Sequence, residues 1–150
     1  MRKYSLALAF ATLILFLGCG GMGIKGSYEI DRDELEAKID NEEEFILLDV
    51  REPDEFDEGE ITYAFNLPRG KLESSIESSN YWDEQAWDVP EKDAEIIIYC
   101  RRGVEGALAT ETLIRMGYTN VRNLYGGYTK WLDPDADVEA LEPSGGGCGG

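Results

Sequence analysis

The apolar run Ile96-Ile97-Ile98-Tyr99 ends in Cys100, passes through Arg101-Arg102-Gly103-Val104-Glu105-Gly106, and continues as the helical pattern Ala107-Leu108-Ala109-Thr110. An unbroken apolar run followed after a short loop by a helix reads as a strand covered on both faces, which is the habit of parallel sheets. The same alternation recurs along the chain. Tyr28-Glu29-Ile30 reads as a short edge strand, and Asp31 caps the helix after it, with Glu34 as the capping-box partner and Leu35 and Ile39 as its buried stripe. Phe45 to Val50 is a second buried strand, Pro53 opens a short acidic helix, and Val121 to Leu124 is a late strand before a last short helix at Gly127 to Leu132. Ala109, Leu113 and Met116 form one stripe of a helix from about Val104 to Met116, with Gly117 as its C′ residue and Tyr118 beside it. Strands alternating with helices predict an α/β domain, a parallel twisted sheet with helices on both faces.

Cys100 stands where the chemistry of such a sheet concentrates, at a strand's carboxyl end and before a helix. Backbone N–H groups and the positive helix end converge there, an environment that favours a thiolate, the nucleophilic form of the sulfur. Gly103 and Gly106 are expected to take positive φ and turn amides inward as an anion-binding nest, with donors from Arg101 through Gly106. Arg101 and Arg102 add positive charge for an anionic donor, or are simply solvated. A second reading makes Cys100 a buried core cysteine, since free cysteine is among the most buried residue types. The neighbouring arginines and glycines favour the reactive one.

This segment resembles the active-site loop of rhodanese-like domains. Leu47-Leu48-Asp49-Val50-Arg51-Glu52-Pro53-Asp54-Glu55-Phe56 and Gly126-Gly127-Tyr128-Thr129-Lys130-Trp131 are similar to two further motifs of that family, in its order, so that the likeness covers roughly Tyr28 to Leu132. The resemblance implies a third short strand within Gly59 to Pro68, bringing the sheet to about five strands, with Glu60 where the family usually has histidine. It implies a sulfurtransferase: Cys100 takes a sulfane sulfur as a persulfide and passes it to a thiol acceptor, by covalent catalysis without a cofactor. Asp49 and Arg51 match an Asp-x-Arg that supports the active loop, and Gly126, Gly127 and Trp131 are scaffold. Glu105 departs from the arginine often found at its position. A carboxylate there would repel thiosulfate by several kcal/mol, on the order of one charge swap at a few Å. A polysulfide or persulfide donor is therefore favoured. Cysteine phosphatases share the fold but need Cys-x₅-Arg to grip phosphate; the required position holds Gly106.

Composition bounds the rest. The 150 residues suit one ordinary domain, and 43% hydrophobic content suits a packed core. A net charge of −17 argues against nucleic acid as a partner. With no histidine, Ser-His-Asp and Cys-His catalysis and histidine-bearing zinc sites are excluded. Cys19, Cys100 and Cys148 are too far apart in sequence for a C-x-x-C pair, so neither a structural metal nor a disulfide framework is predicted.

The ends read as targeting and tail. Arg2 and Lys3 precede an apolar run from about Leu6 to Leu17, giving a signal peptide over 1–18. Gly18-Cys19 after it resembles a bacterial lipoprotein signal, which implies lipid on Cys19 and a membrane-anchored, exported, periplasmic or cell-envelope protein, although Phe16 and Leu17 depart from the usual pattern. Residues 19–27 are a flexible tether, 28–133 the domain, and 134–150 a disordered acidic, glycine-rich tail. Cys148 is either an idle thiol or an acceptor on an arm of about ten loose residues, with a reach of roughly 15–20 Å. The polar stretch from Lys71 to Asp93 either packs Tyr81, Trp82 and Trp87 against the sheet edge or presents them to a protein partner. A partner-binding or redox-sensing module without catalysis is thus the alternative to the enzyme.

Overall fold

The computed structural model describes residues 28–138. The signal peptide, Cys19 and its tether, Cys148 and the tail from residue 139 lie outside the described residues.

Five strands form one parallel sheet: β1 (Glu29–Ile30), β2 (Ile46–Asp49), β3 (Ala64–Asn66), β4 (Ile96–Tyr99) and β5 (Val121–Leu124), in the order β1-β5-β4-β2-β3. The connecting helices are α1 (Arg32–Asp40), α2 (Pro53–Asp57), α3 (Leu72–Ser75), α4 (Ser79–Glu84), α5 (Val104–Arg115) and α6 (Gly127–Leu132). β4 is the middle strand, so the residue that follows it is placed at the centre of the sheet's carboxyl edge.

The apolar runs of β2 and β4 are buried at every residue. Because side chains alternate between faces, Ile96 and Ile98 enter one core with Leu113 and Trp82, while Ile97 and Tyr99 enter the other with Leu35 and Leu124. One core lies under α3, α4 and α5; the other is closed by α1 and α6. Within the acidic stretch, Trp82 is fully buried and donates from Nε1 to the Ile76 carbonyl at 2.7 Å, whereas Trp87 remains 46% exposed. Packing onto the core is therefore the outcome for Trp82, and Trp87 is left half-exposed.

Helix ends follow local rules with one correction. Asp31 Oδ1 accepts the Glu34 amide at 2.8 Å, as a capping residue should. Glu34 does not complete the capping box; its carboxylate lies 2.5 Å from the Arg122 guanidinium of β5, a charged partner stronger than a backbone amide. At the end of α5, Gly117 (φ +96°) donates to the Ile114 carbonyl and Tyr118 to that of Leu113, the paired bonds of a Schellman stop.

Arg122 also meets Glu95 at 2.6 Å, and Glu95 meets Lys38 at 3.1 Å. Burial alone would raise the Glu95 pKa, but the hydrogen bonds from Arg122 and Lys38 outweigh it and hold the carboxyl below its ordinary range. A depressed carboxylate pKa contributes stability that is present above the unfolded-state value and lost as pH falls through the folded-state value. Glu95→Gln is thus expected to cost about 1 kcal/mol at neutral pH. In urea melts of both proteins that difference should shrink as pH falls below the usual glutamate range; a difference independent of pH would show that the network contributes nothing through charge.

Candidate active site

Cys100 leaves the carboxyl end of β4 and is 3% exposed. Its Sγ accepts the Gly103 amide at 3.1 Å and the Gly106 amide at 3.3 Å. Gly103 is the N-cap of α5 and has no capping side chain of its own. The sulfur therefore occupies the position that a serine or aspartate oxygen takes at other helix starts, receiving the amide of the third helical residue. Two N–H donors and the positive end of a twelve-residue helix stabilise negative charge on that atom. The core-cysteine reading accounts for the burial, since Cys100 also belongs to the core cluster of α5, but not for the two amides.

The loop differs in two respects from its expected form. Only Arg101, Arg102 and Gly103 are non-helical, and Val104, Glu105 and Gly106 form the first turn of α5. Gly103 has the expected positive φ of +92°, but Gly106 does not. Gly106 is required for space instead: a Cβ there would stand 2.2 Å from Asn123 Oδ1. Of the donors expected between Arg101 and Gly106, the two glycine amides are the ones that reach the sulfur.

The charged neighbours divide. Arg101 is turned toward α2, with Nε 2.7 Å and Nη2 2.6 Å from Glu55 Oε1. Arg102 is exposed and makes no ion pair with a described residue. Val104 and Glu105 are exposed on the first turn.

Asp49 and Arg51 are brought together behind the loop. They are 0% and 4% exposed, and Arg51 donates from Nε at 3.0 Å to both Asp49 oxygens and from Nη2 at 2.5 Å to Oδ2. Burial by itself would lower the Arg51 pKa; hydrogen bonding and the charge of Asp49 more than offset it, so the guanidinium is held charged. Arg51 Nη2 also donates to the Gly59 carbonyl at 2.8 Å, and the guanidinium carbon lies 4.2 Å from the centre of the Tyr128 ring. Burial, reinforced by the Asp49 charge, keeps the Tyr99 hydroxyl protonated far above its ordinary range, and its oxygen accepts the Ile61 amide.

Tyr128 connects this pair to the loop. Its amide donates to the Cys100 carbonyl at 2.8 Å, and the Thr129 amide donates to the Arg101 carbonyl at 2.9 Å. Asn123, 2% exposed in β5, donates from Nδ2 to the Gly103 carbonyl at 3.0 Å. Sequence pattern alone distinguishes neither Asn123 nor Tyr128. The available signal was an asparagine on the same face of the short β5 strand as Val121, since a buried amide needs a polar partner. A cavity of about 470 Å³ opens beside the loop, bordered by Arg51, Arg101, Tyr128, Glu55, Glu58 and Asp133.

A family profile described as the rhodanese-like domain matches residues 31–134. A sulfurtransferase of Allochromatium vinosum is 32% identical over 114 residues, which is 76% of this chain and 96% of that protein. A mitochondrial Schizosaccharomyces pombe protein named for thiosulfate sulfurtransferase activity is 36% identical over 90 residues; the alignment takes in 59% of this chain and 63% of its relative's length. The human single-domain sulfurtransferase superposes with a TM-score of 0.67 at 28% identity, over 74% of this chain and all of that one.

Proposed function

The chain belongs to the rhodanese-like domain family, and from that premise we propose that it is a sulfurtransferase in which Cys100 carries sulfane sulfur as a persulfide. The observation that supports this most directly is the Cys100 sulfur receiving the Gly103 and Gly106 amides. The Cys100 thiolate attacks the outer sulfur of the donor, a Cys100 S–S bond forms, and the remainder of the donor leaves with the electron pair of the broken S–S bond. The thiolate of an acceptor then attacks the outer sulfur of the persulfide and returns Cys100 to the thiolate. Charge stays on sulfur at every stage, and a cradle of fixed N–H dipoles stabilises it without rearranging. Asp49, Arg51 and the Tyr128 amide position the loop; Arg102, which makes no ion pair with a described residue, is the loop arginine available to an anionic donor.

Donor preference follows from charge. Arg51 and Arg101 are already paired, Glu55, Glu58 and Asp133 line the cavity beside the loop, and Glu105 is exposed on the first turn of α5. This disfavours the thiosulfate dianion relative to a persulfide or hydropolysulfide, which arrives as a monoanion. The protein acts outside the cytoplasm, at the periplasmic or cell-envelope side of a membrane, held by lipid on Cys19. The apolar leader and Gly18-Cys19 support that placement.

The test is intact-mass measurement after incubation with polysulfide. One added sulfur atom is expected, absent in Cys100→Ser. With thiosulfate in the same assay, loading should be at least about tenfold slower, and Glu105→Arg should recover much of the difference. If the wild-type protein takes up no sulfur from any donor, the enzymatic reading falls and the partner-binding or redox-sensing module stands. Unchanged thiosulfate loading in Glu105→Arg would overturn the donor argument alone.

A further inference from the structure

At the amino end of β2, the opposite end of the sheet from Cys100, lie two cavities of about 630 and 610 Å³, one reaching the start of β4 and the other the start of β3. Both are bordered by Glu44, Phe45 and Trp87, so the half-exposed indole stands where they adjoin. Tyr63 (78% exposed) lines one and Val89 (36%) the other. An open groove with aromatic walls is the kind of exposed apolar surface that marks an interaction site.

Its charge is one-sided. No lysine or arginine lines either cavity. Glu42, Glu44, Asp83, Asp88, Glu91 and Asp93 all line them, and none makes an ion pair with a described residue. The backbone adds a separate observation. Among the described residues three non-glycine positions are left-handed: Glu42 (φ +53°), Tyr63 (φ +70°) and Ala86 (φ +54°), and each borders one of these two cavities. A glycine would relieve about 1–2 kcal/mol at each, but at Glu42 and Tyr63 it would remove the carboxylate and the ring.

We propose that this groove docks a cationic segment of a partner polypeptide, with lysine or arginine side chains against the carboxylates and an apolar side chain against Trp87. A small organic cation would occupy one cavity. Carboxylates spread along two cavities with an indole at their junction match charges repeated along a chain. Like-charged partners, nucleic acid and anionic lipid included, are repelled. The docking uses no step of the Cys100 chemistry.

The probe is a fluorescein-labelled nonapeptide with lysine and leucine in alternation, followed by fluorescence anisotropy against the protein. Saturable binding is expected, weakening about tenfold or more between about 50 and 300 mM salt. The matching glutamate-leucine peptide should not bind. The paired exposed-site variant Glu44→Lys/Asp88→Lys should lose the binding. Trp87→Ala should weaken it about tenfold while keeping the salt dependence. Both variants should still take up sulfur at Cys100 like the wild type, so a failure here is distinct from a failure of the sulfurtransferase reading. No binding of the lysine peptide, equal binding of the glutamate peptide, or undiminished binding by Glu44→Lys/Asp88→Lys would each overturn the proposal.

Discussion

Arg51→Ala is expected to lower stability by about 3–5 kcal/mol, because it strands a carboxylate that the fold has fully enclosed. Asp49 is 0% exposed and would keep only the Arg51 backbone amide, at 2.9 Å, out of the contacts it now has with that residue. An ion pair at the surface would be worth a few tenths of that cost; the burial of both partners is what separates the two cases. The Gly59 carbonyl loses its donor as well, and the Tyr128 ring loses the cation stacked on it. Against the 5–15 kcal/mol of a typical domain this is a large fraction. Urea melts of the single variant and of Asp49→Asn/Arg51→Ala check it. Removing the stranded charge should recover part of the loss. A single-variant cost under about 1 kcal/mol would mean that the pair does not hold the site together.

Gly127→Ala should be comparably severe, for a steric reason. A Cβ at Gly127 would lie 2.2 Å from the Cys100 carbonyl oxygen, 2.9 Å from the Arg101 carbonyl carbon and 2.9 Å from the Gly103 nitrogen. All three are backbone atoms, so no flexible side chain can swing aside. The φ of +56° adds about 1–2 kcal/mol of strain. Either α6 withdraws, breaking the Tyr128 and Thr129 hydrogen bonds to the loop, or the loop moves and the sulfur leaves its two amides. We expect about 3–5 kcal/mol of destabilisation and roughly a hundredfold slower sulfur loading in whatever protein remains folded. Gly117→Ala is the control: φ there is +96° with nothing within 4 Å of the added carbon, so it carries the strain without the collision. Equal melting temperatures and loading rates for the two variants would show that the loop yields freely.

The sheet was legible in sequence because burial on both faces writes β2 and β4 as continuous apolar runs, and the helix ends carried their own signatures, Pro53 at a start and Gly117 at a stop. The Cys100 loop was legible for a different reason, being local along the chain, and the Asp49–Arg51 pair was legible only through its likeness to a family motif. What pattern could not supply was adjacency between distant elements. Glu34 looked like a capping-box residue because nothing nearby in sequence discloses Arg122 on the next element of the sheet. Gly106 looked like a left-handed loop residue, when the need for glycine comes from Asn123 pressing on it from β5. Tyr128 lay in a recognised turn, yet its part in fixing the Cys100 carbonyl depends on α6 being set against the end of β4. The acidic stretch hid two fates for its tryptophans, since burial of Trp82 depends on Ile76 and the core beneath α4, while Trp87 falls beyond that helix.

The hydrogen bonds from Tyr128 and Thr129 to the Cys100 and Arg101 carbonyls also set an order of events. A ribosome delivers the thiol nearly thirty residues before it delivers the two amides that fix its loop, and β5 with Asn123 emerges in between. The nascent sulfur is therefore without its finished surroundings until the last helix has been made, and a chain cut short before Gly127 would present a cysteine at the end of a strand with no working geometry around it.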